Sequence, residues 1–384
     1  MALMVIAVVE ISAYLAGRVC VIPRAVFIFY RQPDNGLISK SEFEGYMRRR
    51  HPVLGWPSPS EFGGDRFDPS GSRWIPSFPL GNRELVSLYG DSFTYGDEVD
   101  HRDAWSNVLS QKLEGRVANF GVGGYGVDQA YLRFELNPDD PSPIVVLTLY
   151  PDNLKRNVNQ QRYFLVPVSE FVFGLKPRFV LAGNSLRPVP LPAPSYADFL
   201  ASFETPKRVL RHEYFVPDSP DGPVTWSFPY TYRILRAFGL SQVRHWMSGK
   251  PGWYGFLKET HPSKALRITS LIVRNFVSLA ERRGKRAIVV VLPCRTSYNF
   301  YVRTKELGMQ PLIDELKRTG IEAHDLTAGI ERYLGKRPFR ELGVRPEAEH
   351  SHFNAEGNRL VAELVYRIIV EQGTPQPVSM CCRP

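Results

Sequence analysis

An α/β fold built on a parallel, doubly wound sheet is what this 384-residue sequence predicts. Three observations lead there. From residue 84 onward, short strand-like runs alternate with helical periodicity, the pattern of successive βαβ units. The run "SPIVVLTLY" (142–150) is apolar and β-branched without alternation, as in strands covered on both faces. Glycine closes each of the first two runs, at Gly90 and Gly121, where a strand must turn sharply toward a helix.

Taken in order, "ELVSLYG" (84–90) reads as the first strand. "DAWSNVLSQKL" (103–113) places Ala104, Trp105, Val108, Leu109 and Leu113 at helical spacing, with Asp103 as its N-cap. "RVANFG" (116–121) is a second strand, "VDQAYLRFEL" (127–136) a helix, and 142–150 the third strand. The alternation then stops. Segment 155–260 is rich in aromatics and proline, with a hairpin at "FVLAGNSLRPVPLPAPS" and a helix at "FPYTYRILRAFGLSQVRHWM". It resumes with a helix at 267–284, a strand at 286–293, a helix near 303–319, a strand at 321–326 and a helix at 354–372. This predicts one α/β domain, 85–372, with a long insertion at about 155–260 after the third core strand. Residues 31–84, dense in Pro, Gly and aromatics, read as an extended preamble packed along the domain, and 373–384 as a tail.

A hydrophobic share of 43% and a charged share of 23% argue against wholesale disorder. The net charge of +9 suits anionic partners, but neither zinc-finger spacing nor an RNP-like aromatic motif occurs, so nucleic acid is not expected. Cys20, Cys294, Cys381 and Cys382 include no C-x-x-C pair, so neither a disulfide framework nor a metal site is expected. Residues 2–17 carry one charge, Glu10, and the apolar trend runs on to Tyr30. Segment 1–30 is read as a membrane-anchoring or export helix, hence a membrane-associated or exported protein. A buried or interfacial helix, and a cytoplasmic protein, is the alternative.

Ligands on such sheets gather at the carboxyl ends of the strands, and four segments bring chemistry there. Ser92 follows the first strand in "LYGDSFTYGDEVD", on a turn that can expose its hydroxyl beside backbone N–H groups; Asp97, Glu98 and Asp100 are read as a solvated loop. "NFGVGGYGVDQ" (119–129) crowds glycines, including Gly124, where backbone can approach a ligand closely. "YPDNLKRNVN" (150–159) offers Asn153 as an amide donor, with Asp152 competing for that place. "EAEHSHFNAEGN" (347–358) holds His352, with Glu349 upstream to fix its tautomer, His350 as a competing base, and Asn354 as N-cap of the last helix.

In order and placement, these segments resemble the SGNH hydrolases, the GDSL-like esterase superfamily. Residues 85–95 are similar to its first block, 119–126 to its second, 150–153 to its third and 349–357 to its fifth. "HPVLGWPSP" and "DPSGSRW" are similar to the preamble of many bacterial members. The resemblance implies a three-layer flavodoxin-like sandwich and an acyl-enzyme mechanism. Ser92 would be the nucleophile, His352 the base and Glu349 its acid. The backbone N–H groups of Ser92 and Gly124 and the Asn153 amide would form the oxyanion hole. No cofactor or metal is implied. The third block departs from Gly-x-Asn-Asp, reading Pro151-Asp152-Asn153-Leu154, and the fifth carries Glu349 where Asp is usual. The expected activity is hydrolysis of short-chain or acetyl esters of a small molecule or carbohydrate. Two alternatives stay open: O-acetyl transfer onto a polysaccharide, and an inactive carbohydrate-binding module.

Overall fold

The computed structural model describes residues 2–17, 28–33, 38–57, 66–168, 171–348 and 351–371. Its core is a five-stranded sheet of β1 (Glu84–Tyr89), β2 (Arg116–Asn119), β3 (Ile144–Leu149), β4 (Arg286–Val291) and β5 (Ala323–Asp325). The strands lie in the order β2-β1-β3-β4-β5 and every pairing is parallel. Every residue of β3 is buried, which is why its sequence shows an unbroken apolar run and no alternation.

The sheet is flanked by helices. After β1 comes the single turn α1 (Ser92–Tyr95), then α2 (Trp105–Leu113); α3 (Val127–Glu135) follows β2. The short α4 (Asn153–Arg156) follows β3, α5 (Ala265–Arg282) precedes β4, and α6 (Ala355–Glu371) ends the described chain. Helix α6 packs against α2, and α5 against α3. The result is a flavodoxin-like α/β sandwich with a long insertion after its third core strand. The strand order reverses around β1, so a crevice opens between the carboxyl ends of β1 and β3. Ser92 and Asn153 sit at those two ends.

In the insertion the chain forms an antiparallel hairpin, Arg178–Ala182 with Ser185–Val189, the short helices Tyr196–Ala201 and Pro206–Val209, and the helices Tyr230–Phe238 and Ser241–Met247. The sequence suggested one helix across the latter span; Gly239 and Leu240 divide it. Likewise the helix expected near 303–319 is two, Arg295–Thr304 and Gln310–Lys317. Lys305 turns left-handed at φ 61° to end the first, and Pro311 opens the second. A further helix, Thr327–Leu334, was not signalled. Asp103 is not the cap of α2. Ala104 holds that position, the Trp105 N–H donates to Asn358 Oδ1 at 3.1 Å, and Asp103 instead pairs with Arg359.

Among the described residues of 31–84 there is one helix, Lys40–Arg49, started by a capping box between Ser39 and Glu42. Ile38 and Phe43 from this stretch join the main core. At the N-terminus, helix Ala2–Ala16 leans on the insertion: the Glu10 carboxylate accepts from the N–H groups of Tyr230 and Thr231 at 2.5 and 3.3 Å. Its 15 residues span roughly 22 Å at about 1.5 Å each, short of a bilayer core of about 30 Å. No helix among the described residues is long and apolar enough to cross a membrane.

Candidate active site

Three loops at the carboxyl ends of β1, β2 and β3 are laced together by one carboxylate. Asp91 caps α1, accepting from the Phe93 N–H at 3.0 Å through Oδ1. Its Oδ2 accepts from Asn153 Nδ2 at 3.1 Å and from Arg156 Nη1 at 2.9 Å. Those two side chains also share the Tyr125 carbonyl, at 3.2 and 2.9 Å. Asn153 Oδ1 meanwhile accepts from the Tyr150 N–H at 2.6 Å, which fixes the orientation of its amide. Both amide hydrogens of Asn153 are thereby directed at Asp91 and Tyr125. Asp152, the competing position, pairs with Lys155 at 2.7 Å and Arg156 at 3.8 Å.

Ser92 opens α1 and is nearly buried. Among the described residues, its backbone N–H and that of Gly124 donate to no carbonyl or side chain. Two positions need glycine for this packing. A Cβ on Gly121 would stand 2.5 Å from the Tyr95 N, so the second loop could not close on α1. Gly124 takes φ +79°, a left-handed conformation that a side chain would strain.

His352 reaches the site from the loop before α6, its ring 4.9 Å from that of Phe93, the neighbour of Ser92. No hydrogen bond joins the Ser92 hydroxyl to this ring; apo geometry of this kind commonly tightens only once a substrate is bound. Glu349 and His350 lie outside the described residues. Among the described residues, the carboxylate that meets His352 is that of Glu98: Nδ1 donates to its Oε2 at 2.6 Å. A carboxylate on Nδ1 fixes the proton there and leaves Nε2 as the free base.

The acidic loop is therefore not merely solvated, as its sequence suggested. Glu98 sits at φ 67° and also pairs with Arg345 at 2.9 Å. Partial burial works to raise its carboxyl, but the hydrogen bond and charge of His352, with Arg345, hold it below the usual range. Asp97 behaves oppositely. Burial raises its carboxyl above the usual range, against the pull of His352, Arg66 and Arg73.

The preamble supplies the clamps that hold these loops. Buried Arg73 donates to the carbonyls of Tyr95, Gly96 and Val99 at 2.8, 2.7 and 2.8 Å, with its guanidinium 4.4 Å from the Tyr95 ring centre. Trp56 Nε1 donates to the Gly123 carbonyl at 2.9 Å, and the Tyr125 hydroxyl donates back to the Trp56 carbonyl at 2.6 Å. Sequence reasoning missed Glu98, Arg73, Trp56 and Arg156. The one available signal was that Trp56 and Arg73 lie inside the two quoted preamble stretches. Among the described residues, no group of three His, Cys, Asp or Glu side chains converges as a metal site would require.

No protein-family model and no curated protein matches the sequence. Solved structures do align with the chain. One is a member of the lipolytic G-D-S-L family from Veillonella parvula DSM 2008, at 13% identity and a TM-score of 0.36, covering 76% of this chain and 100% of that one. Another is a G-D-S-L family protein from Desulfitobacterium hafniense DCB-2, at 14% identity and a TM-score of 0.32, covering 74% and 98%. A protein from Lactobacillus plantarum aligns at 9% identity and a TM-score of 0.32, covering 74% and 96%.

Proposed function

We propose that the chain is a serine esterase that cleaves carboxylic esters, short acyl or acetyl groups above all, through an acyl-enzyme on Ser92. The observation that carries this reading is the Glu98–His352 pair, 2.6 Å apart, beside the residue that follows Ser92. A serine at a sheet's switch point, two uncommitted N–H donors and an oriented imidazole suit acyl transfer.

In the first step Ser92 Oγ attacks the ester carbonyl while His352 Nε2 takes the hydroxyl proton. The Oγ–C bond forms, the carbonyl electrons move to oxygen, and the Ser92 and Gly124 N–H groups donate to that oxyanion. Collapse of the intermediate breaks the C–O bond to the alcohol, which leaves with the proton from His352. Water then repeats the sequence on the acyl-enzyme and releases the acid. Glu98 holds the ring and stabilises the imidazolium. Asn153, in this reading, supports the hole by fixing Asp91 and Tyr125 and turns one amide hydrogen toward the oxyanion only when substrate displaces it.

Ser92→Ala should abolish turnover of a short-chain aryl ester while leaving the unfolding temperature unchanged; retained turnover would sink the assignment. A sugar hydroxyl in place of water would make the same site an O-acetyltransferase. The net charge of +9 favours keeping that reading in view for an acidic glycan acceptor. Incubation with an acetyl ester and candidate glycans separates the two, since transfer leaves acetylated glycan and hydrolysis leaves acetate. The exposed apolar helix Ala2–Ala16 is proposed to lie against a lipid surface, testable by vesicle co-sedimentation with and without residues 1–17.

A further inference from the structure

Apolar side chains on a water-facing surface normally stand singly. Two neighbouring elements of this protein depart from that. On helix Ala2–Ala16 the side chains of Ile11, Met4, Val8, Val5, Val9 and Ile6 are all exposed. At about 100° per residue they fan over about 220° of the helix surface. The remaining arc holds Glu10 and Tyr14, and it faces the insertion. Glu10 accepts from the Tyr230 and Thr231 N–H groups, and the Tyr14 ring lies 4.9 Å from that of Tyr230. The one charge of this helix is thus spent inside the protein, on the positive end of helix Tyr230–Phe238.

Exposed apolar residues continue onto the insertion helix that it packs against. Tyr232, Leu235 and Phe238 recur every third residue along helix Tyr230–Phe238 and all are exposed, whereas Tyr230, Ile234 and Ala237 pack on the protein. Trp246 and Met247, 69% and 64% exposed, extend the series on helix Ser241–Met247. The charge of this stretch has one sign. Residues 222–258 contain no Asp or Glu but five basic residues, Arg233, Arg236, Arg244, Lys250 and Lys258. Asp218 pairs with the first two. Arg244 and Lys250 are exposed and make no ion pair among the described residues.

We propose that helix Ala2–Ala16 and the insertion helices Tyr230–Phe238 and Ser241–Met247 form one docking surface for an anionic lipid bilayer. The inference extends the lipid contact proposed above for the first helix, and rests on it for that helix; it is independent of the esterase reading. A protein groove covers one stripe of a helix, about 100° wide. An apolar arc of about 220° is covered on all its sides by a fluid apolar phase. A second copy of the chain would bring the same surplus cations face to face, which opposes pairing through this surface. Anionic headgroups match those cations, and the amphipathic rings of Tyr232 and Trp246 suit the boundary between headgroups and acyl chains.

The test is co-sedimentation of the full chain with vesicles of phosphatidylglycerol and phosphatidylcholine, and of phosphatidylcholine alone. Binding should be about ten- to thirtyfold tighter to the anionic vesicles, and Arg244→Gln with Lys250→Gln should remove most of that preference. The triple variant Leu235→Ser, Phe238→Ser and Trp246→Ser should weaken binding at least about tenfold. Its melting temperature should be unchanged, since the three side chains face solvent. Should it melt lower, Trp246→Ser alone, with the Arg244 and Lys250 variant, decides in its place. Val5→Ser with Val8→Ser and Ile11→Ser should weaken binding as well. Loss in that first-helix variant with none in the insertion variants overturns this proposal and leaves the simpler reading of the first helix standing. No binding of the native chain to either vesicle overturns both. A native oligomer that the triple variant turns into a monomer marks a protein partner and overturns the lipid surface too.

Discussion

Replacing Glu98 by Gln removes one charge from the candidate site and little volume. The structure sets the size of the effect. When His352 takes a proton it becomes a cation whose Nδ1 is 2.6 Å from the Glu98 carboxylate. With charge centres about 4 Å apart and an effective dielectric of about 20, that attraction is worth about 4 kcal/mol. The Glu98 side chain keeps 31% of its exposure, so water screens part of this. About half should survive, roughly 2 kcal/mol, or about thirtyfold in kcat/KM. Loss of tautomer control adds to this, since a Gln side chain can donate to Nδ1 and leave the proton on Nε2, where no base remains. Glu98→Gln is therefore expected to lower kcat/KM on a short aryl ester by about thirtyfold to a thousandfold. KM should change little, while the melting temperature should fall slightly at neutral pH, where the fold favours the ionised carboxylate. Glu98 is held below its usual range, so its contribution is present above the unfolded carboxylate pKa and is lost only as pH falls through the lower folded value. The native pH–rate profile should then carry no inflection from this carboxylate near neutrality. Full activity in Glu98→Gln, with a large loss in Glu349→Gln, would refute the reasoning and return the role to Glu349.

Other consequences can be measured on the same preparation. Arg73→Met strips three carbonyls of a buried, charged donor; at about 1–3 kcal/mol per unsatisfied group, allowing for water entry, the loss is about 3–5 kcal/mol, read by urea unfolding, with activity falling alongside. Lys176→Met leaves Asp128 charged in a fully buried place and should cost about 3–5 kcal/mol, largely recovered by adding Asp128→Leu, since the matched apolar pair strands no charge. Asp97 has a carboxyl raised by burial, so its ionisation weakens the fold as pH rises above the unfolded value. Asp97→Asn should accordingly raise the melting temperature more at pH 8 than at pH 4, and equal shifts at both would contradict the cause given.

What could be read in the sequence follows from how local each signal is. Strand β3 was legible because a strand covered on both faces must be apolar along its whole length, and Ile144–Leu149 is. Ser92, Gly124, Asn153 and His352 were legible as types at strand ends, because parallel sheets gather chemistry at that edge. Glu98 was not. Its partner lies 254 residues away, and an acidic cluster after a turn looks the same whether it is solvated or holds a histidine. Arg73 and Trp56 act on carbonyls of distant loops from a stretch without periodicity, so nothing local separates them from ordinary turn neighbours. The Asp103 cap failed for the converse reason: a local rule was overridden by Asn358, which reaches Trp105 from α6.

The measurement that bears most directly on the central claim is mass-spectrometric mapping of the adduct formed with a fluorophosphonate. The account predicts one adduct per chain, on Ser92, absent in Ser92→Ala and formed much more slowly in His352→Ala and Glu98→Gln. Absence of any adduct, or labelling that persists in Ser92→Ala, would contradict it.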